Sequence, residues 1–427
     1  MPSRRSYWLL AFFTLLNILG FADRSLLAGF SLQVISDLKM SYAQFSFLSG
    51  MAFVGCNALS LLVTGYLADR VNRPRLIAAG MLLWSGMTAL SGLARGFGTM
   101  AASRALVGIG EAGLAPGSLG LLSDVFPPRK RGLVLGVFYL GPPVGVACSY
   151  FIASTLGPQL GWRTCFLGLG LLGVVISGLI LLIRDPRPTP VASAPDQPTD
   201  PALTTLFRIL RTSAPLRHLL LGSTFIVFGV GATVMDIVWL VRERGFTEAG
   251  AQQAAGGLFL LGGMVGTYGG GLASDWFGSR YRGGRALFLA LTYLLLGPVC
   301  VAFRLLSPEH PLFYPFMFIG CINIMLASAV PIAAATELVP DRIRSTTIAF
   351  TIVVTSVVGY SVGSFLVGAL SDYFARLGYA EPITWADVWI TIWALPAIIC
   401  FYLSYRGQRQ QRTHDEQPAD SRAFAHR

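Results

Sequence analysis

Twelve runs of mostly apolar residues follow one another along this chain, each about twenty residues or longer, the length a helix needs to cross the hydrocarbon core of a bilayer. They lie at 8–34, 43–68, 75–94, 99–124, 132–156, 162–183, 217–241, 251–274, 286–306, 312–337, 345–370 and 383–405. A backbone surrounded by lipid has to satisfy its own N–H and C=O groups, so only helices and closed barrels span membranes. Long runs without period-two alternation select the helix. The expectation is an all-α membrane protein with twelve transmembrane helices.

Composition agrees, because 54% of the 427 residues are hydrophobic and 12% are charged, where a soluble domain carries nearer a quarter. Many of the 48 glycines fall inside the runs. They would weaken a soluble helix but let membrane helices approach closely.

The net charge of +11 raises the question of nucleic acid, and the placement of the basic residues answers it. With the N-terminus cytoplasmic, the tails and even-numbered connections hold 23 of the 32 Lys and Arg residues and the odd-numbered connections hold 7, with Arg24 and Arg104 inside spans. That asymmetry is the positive-inside rule. The clusters Arg70/Arg73/Arg75, Arg129/Lys130/Arg131 and Arg280/Arg282/Arg285 sit in short connections without interleaved aromatics, so no nucleic-acid partner is expected. The bilayer is the expected partner, with both termini cytoplasmic.

Cys56, Cys148, Cys165, Cys300, Cys321 and Cys400 stand singly in apolar runs and read as small buried hydrophobes. His218, His310, His414 and His426 are isolated, and no metal site is expected. The opening "MPSRRSYWLLAFFTLLNILG" has the charge and apolar run of a signal sequence but no convincing cleavage site, so it reads as an uncleaved first helix.

Residues 185–216 interrupt the pattern with seven prolines and read as a cytoplasmic linker between two six-helix halves, 1–184 and 217–405, with a tail at 406–427. Within it "LTTLFRILR" suits either a helix lying at headgroup level or a plain disordered linker. The halves echo each other. Gly65 precedes Asp69 by four residues and Gly271 precedes Asp275 by four, while Asp124, Pro127, Arg129 and Arg131 match Glu337, Pro340, Arg342 and Arg344 at a constant offset of 213. Two similar halves joined by a linker are the pattern of a parallel-repeat transporter with a midplane binding site.

The stretch "GYLADRVNRPR" resembles the loop between helices two and three of the major facilitator superfamily, with Asn72 where that family usually has glycine. Within it, "FADRSLLAG", "RALVGIGEAGLAP" and "VFYLGPPVGVACSYFIA" in order and spacing resemble spinster-like transporters over the first 155 residues, while the second half resembles only the superfamily. The resemblance implies the major facilitator fold, two pseudo-symmetric halves working by alternating access. It implies further that Asp69 meets the start of helix eleven and Arg73 meets Asp124, with Arg70 and Asp275 in the same cytoplasmic gate. Solvated headgroup-level charges are the alternative for Asp69 and Asp275.

Gly108, Gly110 and Gly113 have the G-x-G-x-x-G spacing of a dinucleotide loop, but no strand precedes them and no acidic residue follows about 20 positions later. They are expected instead to let helix four pack tightly. Arg104 and Glu111 are seven residues apart, nearly two turns, and share a face. Asp23 and Arg24 offer partners from helix one, with Asn17 on the same face as Arg24. Asp23 and Glu111 both fall near the membrane centre at about 1.5 Å per residue. Two acids and two bases sum to zero, which lowers the cost of keeping charge in lipid. A structural ion-pair network is one reading. The other is proton coupling: desolvation raises a carboxylate's proton affinity and a nearby arginine lowers it, so moving the arginine moves the proton. The resemblance supports Asp23 and Glu111 as proton carriers, with Arg24 and Arg104 stabilising them or an anionic substrate.

Thr233, Asp236, Asn323, Ser328, Thr355, Ser356 and Tyr360 are polar residues in second-half spans that suit a cavity or helix packing. Tyr139 stands before Pro142 and Pro143, which are expected to kink helix five. Spinster-like proteins are associated with lysophospholipids and sphingosine phosphates. The charges of the first half and the apolar Phe225, Phe228, Met235 and Trp239 of the second fit such an amphiphile. A proton-coupled carrier of a small organic anion, such as a sugar acid, or of a drug is the rival. The chain has no G-x-S-x-G, H-E-x-x-H or phosphate loop, so an enzyme is not expected, nor a cofactor other than protons as coupling ion. A monomer is expected. Lysine is confined to Lys39 and Lys130, which suggests a GC-rich genome and a bacterial inner membrane.

Overall fold

A computed structural model describes residues 4–183, 185 and 202–415, and of Asp69, Pro128, Ala202, Leu203, Ser328 and residues 411–415 it describes the backbone alone. Among the described residues all regular structure is helical. Ten helical runs are long and apolar enough to cross a membrane: α1 (Arg4–Gly29), α2 (Tyr42–Ala68), α4 (Phe97–Val125), α5 (Arg131–Thr155), α6 (Gly157–Ile180), α7 (Ala214–Arg242), α9 (Gly284–Leu305), α10 (Phe313–Glu337), α11 (Asp341–Arg376) and α12 (Pro382–Gln410). The other two expected crossings are helices as well, α3 (Arg73–Ser91) and α8, which runs from Glu248–Met264 through Val265–Gly269 into Gly270–Arg280. These two are not among the ten; α3 carries Arg73 and Arg75 in its first turn, and the first part of α8 is rich in glycine and holds Glu248, Gln252 and Gln253.

The packing repeats along the chain. In the first six helices α1 lies on α5, α3 on α4 and α6, and α2 on α4; six helices on, α7 lies on α11, α9 on α10 and α12, and α8 on α10. Contacts between the sets are made mainly by α2 with α11 and α5 with α8, with a smaller one between α7 and the segment Ser31–Asp37 that follows α1. Large apolar side chains face outward all round, among them Val175, Leu182, Leu272 and Leu295, each more than two-thirds exposed. In water such a surface would associate, and in lipid it is solvated.

Close approach needs small residues. A β-carbon on Gly108 would strike the Phe53 carbonyl of α2, and one on Gly110 would lie 2.7 Å from the Gly80 carbonyl of α3. The glycines of "VGIGEAG" are therefore helix-packing positions. The helix breaks at Ala112–Gly113, directly after Glu111, and the Ala112 carbonyl freed there accepts a hydrogen bond from Thr64 Oγ1 at 3.1 Å.

The expected kink in α5 falls at Tyr139–Leu140, immediately before Gly141 and the two prolines. Residues 186–201 of the linker lie outside the described residues. The part described forms a helix, Ala202–Thr212, whose Leu206 is buried with Leu216 and Leu219 and whose Phe207 meets Phe350 edge-on. Arg217 donates to the carbonyls of Leu210 and Arg211 at its C-terminal end. The segment is thus seated on the second set of helices. Of the six cysteines only Cys165 and Cys321 are buried, and Cys148 is exposed. An apolar thiol at a lipid-facing surface carries no burial requirement, which is why the expectation of burial fails there.

Candidate functional site

α1 and α4 bring the four predicted charges together. Arg24 Nη2 lies 3.0 Å from Glu111 Oε1, and Arg104 Nη1 lies 3.9 Å from Asp23 Oδ1. The first is a hydrogen-bonded ion pair; the second is beyond hydrogen-bond reach. Asp23 is instead held by Thr88 of α3, whose hydroxyl donates to Oδ2 at 2.6 Å, and Arg104 Nη2 donates to the Arg24 carbonyl at 3.4 Å. Phe53 of α2 sits under both guanidinium groups, with centroid distances of 4.8 Å to Arg24 and 5.1 Å to Arg104. Cation–π contact of this kind gains strength away from water. Asp23 Oδ1 and Arg104 Nε and Nη1 make no hydrogen bond, so the set is charge-balanced but incompletely bonded.

The pairs differ in access. The Arg24 side chain keeps a third of its surface, while Arg104 is 1% exposed. Arg24 lines a central cavity of about 460 Å³ walled by both sets of helices, including Phe21 of α1, Tyr150 of α5, Trp239 of α7 and Tyr360 of α11. Asp23, Arg104 and Glu111 stand behind Arg24 and are not in its wall. Asn17, expected beside Arg24, is turned to α5, where its Nδ2 donates to the Phe138 carbonyl at 2.8 Å. Gly141 leaves the room for it.

Of the other predicted cavity residues, Asp236, Asn323 and Tyr360 line the cavity, as do Thr233, Ser356 and Trp239. Tyr139, Phe225, Phe228 and Thr355 are not in its wall. Phe225 and Phe228 pack on the apolar clusters around α7, and Thr355 donates its hydroxyl to the Thr351 carbonyl at 2.8 Å. Tyr139 is nearly half exposed and edge-on to Phe138.

The second set of helices carries a charged group that sequence reading missed. Arg304 of α9 donates to Asp236 Oδ1 at 2.6 Å, pairs with Asp387 of α12 at 3.1 Å, and lies over the Trp239 ring at 4.7 Å. Arg244 lies over the same ring at 4.9 Å and pairs with Glu381 at 2.9 Å. Glu243 accepts from the backbone N–H groups of Ile383 and Thr384 at the start of α12. Arg304 and Asp387 fall near the ends of the runs 286–306 and 383–405, where a charge reads as a headgroup-level residue. The pairing of two run ends was the signal available.

At the ends of the helices facing the linker, Arg73 Nη1 lies 2.5 Å from Asp124 Oδ2, as expected, and Gly120 leaves room for the guanidinium. The backbone of Asp69 closes α2 and its side chain lies outside the described residues; Arg70 lies over the Tyr66 ring at 3.7 Å. Asp275 accepts from Arg285 at 2.6 Å, and Arg285 also pairs with Glu337. The Arg73–Asp124 pair thus recurs as Arg285–Glu337.

Over 401 residues the chain is 28% identical to the protein spinster of Drosophila melanogaster, spanning 90% of this chain and 66% of that one, just under two thirds of the fly protein's length. It is 25% identical to the sphingosine-1-phosphate transporter SPNS2 of Danio rerio, over 86% of this chain and 76% of that one. It is 28% identical to an MFS-type efflux pump of Mycolicibacterium smegmatis, over 86% and 85%. In fold it is similar to a bacterial homolog of the human lysosomal transporter spinster in its inward-facing, unoccupied conformation, with a TM-score of 0.83 at 22% identity over 96% of this chain and 99% of that one. The profile of the major facilitator superfamily matches residues 13–364, and the chain belongs to that superfamily, as a multi-pass membrane transporter of the spinster-like kind.

Proposed function

We propose that the chain is a proton-coupled carrier working by alternating access, with a singly tailed anionic amphiphile of the lysophospholipid or sphingosine-phosphate type as its substrate. One observation carries the reading: Arg24 stands in the cavity wall with Glu111 on its guanidinium and the Asp23–Arg104 pair immediately behind it. An anion entering the cavity competes with Glu111 for Arg24. A carboxylate that loses its arginine takes up a proton more readily, so substrate binding and proton uptake are linked through one side chain.

The six helices before the linker and the six after it rock as two bodies about the cavity, and Asp23 and Glu111 exchange their protons with whichever side is open. The relatives that carry spinster names support an amphiphilic substrate, and the cavity offers charged groups at Arg24 and at Asp236 with Arg304, alongside apolar walls at Phe21, Val54, Val146 and Phe259. The protein works as a monomer in a bacterial inner membrane, with its termini in the cytoplasm. In proteoliposomes carrying an imposed pH gradient, labelled lysophosphatidic acid is moved by the unaltered protein. Asp23→Asn and Glu111→Gln abolish gradient-driven movement while retaining a monodisperse, folded protein. Full gradient-driven transport in both variants refutes the assignment.

A further inference from the structure

Arg304 is the one cavity-wall arginine contributed by the second six helices among the described residues. It is 7% exposed and is held from two sides by acids of different character. Asp387 is fully buried behind it, and neither of its oxygens finds a hydrogen bond. Asp236, on Nη2, is in the cavity wall with its side chain 29% exposed.

The arrangement repeats the first half. Asp236 stands 213 residues after Asp23, the same offset that relates Asp124 to Glu337. Each aspartate takes a 2.6 Å hydrogen bond from the third helix of its own set, from Thr88 in α3 and from Arg304 in α9. The difference is that the second-half donor is a cation whose outer partner faces the cavity. Two acids share one guanidinium, so either of them alone could balance its charge. Arg244 does not serve the other, since Glu381 and the neighbouring Glu243 supply two more acids.

We propose that Arg304 is the anion-binding residue of the second half: the terminal anion of the substrate takes Asp236's place on Nη2, while Asp387 keeps the guanidinium in position. This rests on the proposed function and adds a residue to it. With Arg24 in the wall contributed by α1 and Arg304 in the wall contributed by α9, an anionic substrate finds a cationic ligand on each rocking body. Its binding then draws the two bodies together. Asp236 acts as a resident competitor, which occupies Nη2 of Arg304 in the empty cavity.

The test uses the purified full-length protein in nanodiscs. It measures binding of lysophosphatidic acid, of a long-chain fatty acid, and of monoacylglycerol as the neutral control, by tryptophan fluorescence and by isothermal titration. Loss of a charge-assisted hydrogen bond predicts that Arg304→Gln weakens both anionic ligands about tenfold or more and leaves the neutral one unchanged, with Arg304→Lys intermediate. Asp236→Asn removes the competitor and tightens lysophosphatidic acid several-fold. That rise in affinity cannot come from misfolding and keeps the proposal testable where Arg304→Gln fails to fold. Unaltered protein that binds neither anion overturns the amphiphile reading itself. Unaltered protein that binds both, with Arg304→Gln unchanged or Asp236→Asn weakened, overturns the anion-binding role of Arg304.

Discussion

The sharpest mechanical prediction concerns Asp372, at the far end of α11 from the linker. Its carboxylate accepts from the backbone N–H of Tyr42 at 3.1 Å and of Ala43 at 2.9 Å, the first residues of α2, so it joins the two sets of helices at a helix N-terminus. A β-carbon on Gly368, one turn earlier, would strike the Tyr42 carbonyl, so the two backbones touch there. A carboxylate in a partly buried position at a helix start contributes up to about 2 kcal/mol. Asp372→Ala removes that from the far-side-closed state alone. At about 1.4 kcal/mol per tenfold the far-side-open state gains roughly thirty-fold in relative population. Asp372→Asn keeps an acceptor but loses the charge, and a loss of about 1 kcal/mol gives roughly fivefold. Gln252 on the Gly29 carbonyl and Glu248 on Gln33 remain as cross-links, so opening is partial. Spin labels at Ser36→Cys and Ala380→Cys, both exposed on the far side, report the change by double electron–electron resonance in a cysteine-free background. The expected result is a longer-distance population that grows from aspartate to asparagine to alanine. Identical distance distributions in all three proteins refute the latch.

Other consequences can be checked alongside. Gly108→Ala and Gly110→Ala overpack α4 against α2 and α3, cost about 1–3 kcal/mol each, and lower the melting temperature in detergent. Gly65→Ala and Gly168→Ala, whose β-carbons would meet nothing within 4 Å, leave it unchanged. Arg73→Ala and Arg285→Ala each free a carboxylate at the linker side, Asp124 in one case and Glu337 with Asp275 in the other. Both variants raise maleimide labelling of cysteines placed on the linker-side halves of α4 and α10, and equal labelling in variant and unaltered protein counts against paired gates.

What the sequence disclosed follows from where each signal is local. Apolar length marks a span wherever it lies, and Arg104 with Glu111 share a face by spacing alone, so the pairing of α1 and α4 was legible. Arg304, Asp387 and Asp372 lie at or near run ends, where charge is cheap and carries no message until the fold sets one end against another. Asn17 shows the converse error. Helical spacing put it on Arg24's face, but Gly141 lets α5 come close enough for the Phe138 carbonyl to take its amide.

Each of the four helices that make the main contacts across the two sets deviates from regular α geometry near mid-span, as do α4 at Ala112–Gly113, α7 with a 3-10 turn at Gly231–Met235 and α12 at Leu395. α2 has a π segment at Leu48–Gly55, α8 at Val265–Gly269 and α11 at Thr355–Ser361, while α5 breaks at Tyr139–Leu140. These four make the α2–α11 and α5–α8 contacts. Of the four, only the α5 break has prolines to announce it. Pro298 and Pro331 lie inside α9 and α10 without ending either helix, so proline content does not predict the pattern. A π turn loosens the local hydrogen-bond ladder and accompanies functional sites. With the far side joined by Asp372 and Gln252, and the linker side by Tyr268 donating to the Gly136 carbonyl at 2.6 Å, neither end can separate by rigid sliding unless the other end stays in contact. Bending at four mid-span irregularities meets that requirement, because each contacting pair can hold at one end and part at the other. In the alternating-access cycle proposed above, α2, α5, α8 and α11 are therefore the helices expected to bend, with the charges of α1, α4, α7 and α9 setting when they do.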